Sequence, residues 1–245
     1  MLRPALAALA LLTRVPLGRA FSAAELARAA RFFPLVGALV GLAQILLMHL
    51  LAAFLPPLLL SVCLLAAAAW LTGGLHLDGL ADTADGFGGG QSREEILRIM
   101  RDPVIGSFGA IALALVLMLK AGAIGALIER HAAAPFLVLA PALGRWTMVA
   151  LGRALPYARP EGGLGSVAGA VTRWQLALAT AMTAAVSVPA GVTRAAVCWL
   201  AAGAVTLVLG RFCARRLGGF TGDVLGASNE LAEVTVLVAG VVLTR

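Results

Sequence analysis

Three aspartates in the stretch from Gly73 to Gly86 have the spacing of a metal site on one helix face. Asp78, Asp82 and Asp85 occupy positions i, i+4 and i+7, which point the same way on a helix of about 3.6 residues per turn. Like charges this close repel one another, so we expect a cation among them. Carboxylate oxygens suit Mg²⁺, which also bridges phosphate groups during phosphoryl transfer. The alternative is a solvated acidic helix end, and the apolar run that directly precedes the stretch argues against it.

A second acidic face follows near the C-terminus, after the sequence Gly218-Gly219-Phe220-Thr221-Gly222. Asp223 and Glu230 are at i and i+7, and Glu233 lies one turn beyond Glu230. The favourable interaction of an acid with a helix N-terminus explains Asp223 but not Glu233. Two acidic faces that enter the membrane from the same side indicate a shared metal–phosphate site.

A short helix lying on the membrane surface is predicted between the two acidic faces, within residues 91–109. Ser92 and Glu95 form a capping-box pattern at its start, and Asp102-Pro103 ends it. Its basic residues, which could bind either phosphate or lipid headgroups, are Arg93, Arg98 and Arg101.

Two basic residues lie within apolar segments. Arg145 is near the middle of its segment, where an unpaired charge costs about 2.5–3.5 kcal/mol, so it should face the bundle interior and meet an acid or a phosphate. Lys120 could instead extend outward to the membrane surface, and its role stays open. The loop of residues 156–165 is rich in Gly and Pro, carries Arg159 and Glu161, and could close over a substrate.

The composition predicts an all-α integral membrane protein. Of the 245 residues, 61% are hydrophobic and 13% are charged, about half the charge of an ordinary soluble domain. Residues 1–245 are predicted to form a single polytopic bundle of about six to seven transmembrane helices, with residues 1–31 as a short interfacial segment. The seven candidate spans are Phe32–Leu55, Pro57–Leu75, Ile105–Ile128, Pro135–Ala154, Trp174–Gly191, Ala195–Phe212 and Ala227–Leu243.

The arginines predict the orientation of these spans. A cytoplasmic N-terminus places most of them on the cytoplasmic side and leaves Arg130, Arg194 and Arg245 outside. Residues 76–104 then form a cytoplasmic loop that carries the acidic and basic groups. Because the acids collect at one face instead of the midplane, an enzyme fits better than a transporter. No basic run or aromatic platform indicates nucleic-acid binding, and the three scattered cysteines are expected to be buried apolar residues.

The stretch Gly73-Gly74-Leu75-His76-Leu77-Asp78-Gly79-Leu80-Ala81-Asp82-Thr83-Ala84-Asp85-Gly86 resembles adenosylcobinamide-GDP ribazoletransferases, also called cobalamin synthases. The resemblance covers nearly the whole chain. It includes Leu12 to Pro16, Phe32 to Gly37, Ile99 to Asp102, Ile105 to Gly109, Gly144 to Trp146, Pro156 to Gly165 and Gly218 to Asp223. The chain departs from the family at Val104, where a basic residue is usual, and at the glycine-rich segment 87–90.

The resemblance implies a Mg²⁺-dependent enzyme of the bacterial inner membrane that joins adenosylcobinamide-GDP to α-ribazole, or its 5′-phosphate, and releases GMP. The expected partners are its substrates and the lipid bilayer. The sequence does not decide whether the chain forms a homo-oligomer. Metal ligands are expected at Asp78, Asp82, Asp85 and Asp223. The catalytic candidates are Asp82, Asp78, His76 and Glu230, although His76 could equally have a packing or capping role. Substrate and phosphate contacts are expected at Arg14, Arg101, Asp102, Arg145, Arg159 and Glu161.

Other functions remain as alternatives. A CDP-alcohol phosphotransferase also places acidic pairs on membrane helices, and Asp82 to Gly86 imitates the start of its signature. The expected Ala-Arg is missing, because Gly89-Gly90 stands there. A prenyltransferase with aspartate-rich motifs would need a larger lipid-facing cleft. A transporter or a non-catalytic scaffold stays open because of Lys120 and Arg145.

Overall fold

A computed structural model of the chain describes residues 2–18, 20–159 and 171–245, and these ranges contain helices and no β-strand. Two single turns of 3₁₀ helix, Ala30–Phe32 and Val188–Ala190, precede and follow longer helices. The α-helices are α1 (Leu2–Leu12), α2 (Ala23–Ala27), α3 (Phe33–Leu51), α4 (Pro57–Thr72), α5 (Leu75–Gly89), α6 (Arg93–Ile99), α7 (Ser107–Glu129), α8 (Ala133–Ala154), α9 (Arg173–Ser187), α10 (Val192–Leu217) and α11 (Gly222–Leu243).

Each of the seven predicted spans coincides with one of these helices. Within the described ranges, α3, α7, α8, α10 and α11 are long and apolar enough to cross a membrane. The bent pair of α4 and α5 could supply a sixth crossing. Helix α9, which matches the predicted span Trp174–Gly191, has 15 residues and does not reach that length. The outer face of α3 carries exposed leucines, including Leu39, Leu42 and Leu46, as expected where a helix meets lipid.

Helix α3 packs closely on α8, and two glycines allow the contact. A Cβ at Gly37 or Gly41 would collide with the backbone of Pro141 or Leu137. Small residues at such crossings let helix backbones approach within a membrane, where packing rather than the hydrophobic effect drives association. Helix α8 is consequently buried along most of its length and forms the centre of the bundle.

The N-terminal segment forms two short helices against this bundle. Helix α1 buries Ala7, Ala8 and Leu12 in the same core cluster as residues of α3 and α8. Ser22 and Glu25 form a complete capping box at the start of α2. One face of the predicted interfacial segment is therefore covered by protein.

A sharp corner joins α4 to α5. Pro57 begins α4, where its fixed φ suits the first helical turn. Gly73 and Gly74 then both adopt left-handed backbone, with φ of 66° and 72°, which glycine does without strain. The axis turns by 91°. Helix α5 therefore leaves the direction of α4 and packs against α7 and α11.

The predicted capping box of α6 forms only in part. The Ser92 side chain accepts a hydrogen bond from the Glu95 backbone N–H at 3.2 Å. The Glu95 carboxylate binds the backbone N–H of Gln91 at 2.8 Å instead of that of Ser92. The expected helix is present. The predicted second hydrogen bond, from the Ser92 N–H to the Glu95 carboxylate, is replaced by one from the Gln91 N–H.

Candidate active site

Two glycines bring the acidic faces together. A Cβ at Gly79 of α5 would lie 2.8 Å from the Asp223 carbonyl oxygen and 3.2 Å from the Gly226 Cα. A Cβ at Gly226 of α11 would in turn lie 3.1 Å from the His76 carbonyl oxygen. A side chain at Gly79 would therefore force the two backbones apart, and one at Gly226 would crowd the same crossing. The crossing sets Asp78 and Asp82 beside the first turn of α11, which carries Asp223.

A cleft of 270 Å³ opens at this crossing. Asp78, Asp223, Arg159, Tyr157 and His76 supply its polar lining. Its other lining residues, contributed by five segments of the chain, are Leu11, Leu12, Phe33, Leu75, Gly79, Met148, Gly222, Leu225 and Gly226. The cleft thus has a charged side and an apolar side.

A larger cleft of 620 Å³ lies on the other side of Asp78. Asp82 joins Asp78 in its lining, together with Gly73, Gly74 and Pro103. Asp78 is exposed and belongs to both clefts. The two clefts therefore adjoin each other at this carboxylate.

The positive charge of Arg159 only partly compensates the negative surroundings of Asp82. Burial, followed by the charges of Asp223 and Asp78, raises the pKa of the Asp82 carboxyl to about 7. A divalent cation between these groups would relieve the repulsion. Among the described residues, no three Asp, Glu, His or Cys side chains are gathered closely enough to enclose a metal ion by themselves. The donor set suits Mg²⁺, which commonly uses one or two carboxylates and completes its shell with water and substrate phosphates.

Arg159 reaches Asp223 from the loop that follows α8. Its Nη2 lies 2.5 Å from Asp223 Oδ2. The Thr221 hydroxyl donates to the same oxygen at 3.2 Å and accepts from the Val224 N–H, so it also caps α11. The expected proximity of Arg159 to the acids is therefore present. It places a guanidinium at the cleft, where it can bind a phosphate oxygen.

A short backbone pairing holds that loop in place. The Ala158 N–H donates to the Phe220 carbonyl at 2.8 Å, and the Phe220 N–H donates to the Pro156 carbonyl at 3.0 Å. Arg93 supports the pairing by donating to the carbonyls of Leu217 and Ala158. Arg93 thus uses its Nε and Nη2 on backbone oxygens, and a phosphate contact from this residue stays a prediction.

Asp85 has different surroundings from the other two aspartates of α5. Its carboxylate accepts hydrogen bonds from the backbone N–H groups of Gly106, at 2.7 Å, and Gly109, at 2.9 Å. Both donors belong to the first turn of α7, so Asp85 caps that helix and favourably meets its dipole. The three aspartates have the predicted spacing on α5. Both carboxylate oxygens of Asp85, however, already accept hydrogen bonds from the backbone of α7.

Glu230 and Arg145 lie in a buried charge network instead of lining the cleft. Lys120 Nζ contacts Glu230 at 2.6 Å and Glu233 at 2.7 Å. Arg145 Nη1 contacts Glu233 at 2.7 Å and Asn229 Oδ1 at 3.2 Å. Arg145 thus forms an ion pair with an acid, which was one of the two expected partners, the other being a phosphate. The possibility that Lys120 extends outward is wrong, because the residue is only 3% exposed.

His76 lies between the cleft and this network. It is buried, and it lines both the 270 Å³ cleft and a small inner cavity shared with Lys120, Arg145, Glu230 and Glu233. Its Nε2 has no hydrogen-bond partner among the described residues. The imidazole is therefore buried between the cleft and the charge network with an unused ring nitrogen, and its catalytic role stays a prediction.

The remaining predicted contacts are more peripheral. Arg14 donates its backbone N–H to Leu71 and lays its side chain along Gly73, at the α4–α5 corner. Asp102 accepts from the Val104 N–H at 3.0 Å and shapes the turn after α6. Arg101 is exposed and interacts electrostatically with Tyr157. Glu161 lies outside the described residues.

Tyr157 is a cleft residue that the sequence analysis did not single out. Burial is the main cause that raises the pKa of its hydroxyl, so the phenol stays protonated at neutral pH and can donate to a phosphate oxygen. Its place in the loop beside Arg159 was the available signal. A lone tyrosine in a Gly-Pro loop carries little weight without the long-range pairing to Phe220.

Comparison with known proteins identifies relatives along nearly the whole chain. Residues 4–241 match the profile of the cobalamin-5-phosphate synthase family. An adenosylcobinamide-GDP ribazoletransferase of Syntrophobacter fumaroxidans is 44% identical over 223 residues, which are 90% of this chain and 89% of that protein. Proteins with the same name from Ralstonia nicotianae, 43% identical over 91% and 88% of the two chains, and Rhizobium etli, 40% identical over 95% and 94%, also match. No solved structure matches this one.

Proposed function

The chain belongs to the cobalamin-5-phosphate synthase family of transferases, and on this premise we propose that it transfers the adenosylcobinamide-phosphate group of adenosylcobinamide-GDP to α-ribazole or its 5′-phosphate. GMP is the second product. The observation that carries the proposal is the meeting of Asp78 and Asp82 with Asp223 and Arg159 at the Gly79–Gly226 crossing. This meeting gives one site both the carboxylates that suit a metal–pyrophosphate complex and a cation for its phosphate oxygens.

The acids and the arginine have separate roles in this proposal. Each Mg²⁺ ion would take one or two of the carboxylates of Asp78, Asp82 and Asp223, with water and the pyrophosphate of the donor as further ligands. When bound, the ion supplies neutralisation of the charge on the transferring phosphate and on the departing GMP. Arg159 moves from Asp223 to a phosphate oxygen or is shared between them, and the Tyr157 hydroxyl donates a further hydrogen bond.

The ribose 3′-hydroxyl of the acceptor attacks the phosphorus on the cobinamide side. A new oxygen–phosphorus bond forms, and the bond from that phosphorus to the bridging oxygen breaks. Its electron pair leaves on the phosphate of GMP. The hydroxyl proton passes to a cleft carboxylate that the metal leaves free. Glu230 does not take this role, because Lys120 and the bundle interior separate it from the cleft. Asp85 does not contribute a metal ligand, since it caps α7.

The site is placed at the cytoplasmic face of the bacterial inner membrane. The support is the distribution of arginines, because most of them flank the helix ends near the acids. Arg130, just after the end of α7, and Arg194, in the first turn of α10, lie at the helix ends away from the acids. Lys120 and Arg145 are the two internal charges that favoured a transporter as an alternative function. They neutralise Glu230 and Glu233. They therefore need no transported ion to account for them.

The proposal is tested with purified protein in liposomes. We expect GMP release that requires adenosylcobinamide-GDP, an α-ribazole acceptor and Mg²⁺ together. Asp82→Asn should abolish release without loss of folded protein. Glu94→Gln removes an exposed carboxylate from neighbouring α6 and is the matched control that should retain activity. Undiminished Mg²⁺-dependent turnover in Asp82→Asn would refute the assignment of the acids, and CMP release from a CDP-alcohol would refute the reaction.

A further inference from the structure

The apolar side of the 270 Å³ cleft is built by residues from four helices. Leu12 of α1, Phe33 of α3, Met148 of α8 and Leu225 of α11 converge there. All four are buried in one hydrophobic cluster, so they form a firm wall instead of a loose surface. Asp78, Asp223 and Arg159 line the same cleft. A ligand that fills the cleft must therefore carry a polar end and an apolar end.

The backbone donors of three of the four wall residues are already occupied. The Phe33 N–H donates to the Ala30 carbonyl, and the Leu225 N–H donates to the Thr221 carbonyl. Met148 lies inside α8, where both backbone groups take part in the helix. Burying an unmatched polar group costs free energy. The apolar side therefore favours a ligand part whose edge has no hydrogen-bond donors or acceptors.

Four ring systems take part in the proposed reaction, and they differ in size and in the polarity of their edges. The corrin macrocycle of the donor is far too large for a 270 Å³ cleft. Guanine and the adenine of the adenosyl group are small enough, but guanine carries carbonyl and amino groups along its edge, and adenine carries an amino group and ring nitrogens. The base of ribazole is a flat benzimidazole whose outer ring edge is apolar. Only the benzimidazole matches both the size and the chemistry of the wall.

We propose that the wall of Leu12, Phe33, Met148 and Leu225 is the subsite for the base of the acceptor nucleoside, and that Met148 and Phe33 determine which base is accepted. This inference rests on the proposed function. The base lies against the wall, and its ribose points to Asp78, which the cleft shares with the 620 Å³ cleft beyond. The donor then occupies that larger and more open space. The two substrates meet at Asp78.

The test replaces Met148 by glutamine, which nearly keeps the volume and adds an amide to the wall. Initial rates of GMP release are measured with two acceptors, the α-ribosides of dimethylbenzimidazole and of adenine. We expect Met148→Gln to raise the KM for the benzimidazole acceptor roughly tenfold. The preference for this acceptor over the adenine riboside should fall, and the KM for adenosylcobinamide-GDP should stay unchanged. Met182→Gln, which adds the same amide beside the same core cluster but away from the cleft, is the matched control.

Equilibrium binding of α-ribazole to the detergent-solubilised protein is measured alongside, so that the subsite is tested even where turnover fails. Phe33→Leu is the second variant, and it should weaken α-ribazole binding while the protein stays folded. Unchanged acceptor affinity and unchanged base preference in both variants would overturn the inference. A raised donor KM with normal acceptor binding would also overturn it, because the wall would then belong to the donor. If the wild-type protein releases no GMP but binds α-ribazole, and both wall variants weaken that binding, the proposed reaction fails while the subsite stands.

Discussion

Asp82 and Asp85 are three residues apart on α5, yet they have different partners. Asp85 receives two backbone N–H groups at the start of α7. Asp82 faces other carboxylates, which together with burial raise its pKa. The first aspartate is thus satisfied by the fold and the second is left for a ligand. Spacing alone could not separate them, because both lie on the face that the 3.6-residue period predicts.

The first prediction separates these two aspartates by substitution. Asp85→Asn should lower the free energy of unfolding by about 1–2 kcal/mol, since a helix cap is weakened. The fraction of protein that stays folded should retain transfer activity. Asp82→Asn should do the reverse and keep stability while losing activity. Thermal unfolding and GMP release of both variants check the pattern. Equal effects on the two properties would contradict it.

The second prediction concerns pH. A carboxyl with a pKa raised to about 7 binds protons more tightly in the folded than in the unfolded protein. Without a cation, Asp82 therefore makes the folded state less stable as pH rises from about 4 towards about 7. Mg²⁺ should offset this loss. We expect the increase in Tm caused by Mg²⁺ to be larger at about pH 8 than at about pH 5. Asp82→Asn should remove most of that difference, and a pH-independent Mg²⁺ effect in the wild type would exclude Asp82 from the metal site.

The third prediction concerns the buried network. Lys120 is the common partner of Glu230 and Glu233. Lys120→Met leaves these acids short of positive charge inside the bundle and should destabilise the protein by about 3–5 kcal/mol. The double variant Lys120→Met/Glu230→Gln should recover much of the loss, because Glu233 keeps Arg145. Denaturation in mild detergent measures both, and a double variant no more stable than Lys120→Met would show that the charges are not coupled.

At the scale of helices, two glycine features position the site. Gly73 and Gly74 turn the chain so that α5 leaves α4 at 91°. Gly79 and Gly226 then let α5 and α11 approach until Asp78 and Asp82 stand beside Asp223. The N-terminal ends of α7 and α11 both meet acids of this region, which the helix dipole favours.

The fourth prediction tests this crossing. Gly79→Ala would push α5 away from the backbone of Asp223, and a displacement of this kind can cost about a hundredfold in rate. Gly122→Ala makes the same change within α7, where a Cβ meets nothing within 4 Å. We expect the first variant to lose GMP release and the second to keep it. Full activity in Gly79→Ala would show that the close crossing is not needed.

At the scale of the whole molecule, the sequence predicted the membrane helices well and the internal contacts poorly. Each of the seven apolar runs corresponds to a helix, because a lipid-facing helix must be apolar along its length. Among the described residues, five of these helices are long enough to cross a membrane, or six with the bent pair. Periodicity also placed Asp78 and Asp82 on one helix face. The partners of Arg159, Arg93 and Lys120 depend on contacts between residues 64, 124 and 110 positions apart, respectively. Local spacing carries no information on such contacts.

The proposed orientation supplies the fifth prediction. Single cysteines are introduced at Glu94 in α6 and at His131 between α7 and α8, with Cys63 replaced by serine. Cys198 and Cys213 are buried and should not react. In intact cells, a membrane-impermeant thiol reagent should label position 131 and spare position 94. The opposite pattern would place the acids on the outer face.

Binding of Mn²⁺ as a substitute for Mg²⁺, followed by electron paramagnetic resonance in the presence of donor, tests most directly whether α5 and α11 form one metal–phosphate site. We expect Asp78→Asn on α5 and Asp223→Asn on α11 each to weaken Mn²⁺ binding at least about tenfold. Glu94→Gln, which removes an exposed carboxylate of α6, serves as a control that should leave binding intact. Loss from both helices would establish a single shared site. Unchanged Mn²⁺ affinity in Asp223→Asn would contradict the account, because α11 would then hold no part of the metal.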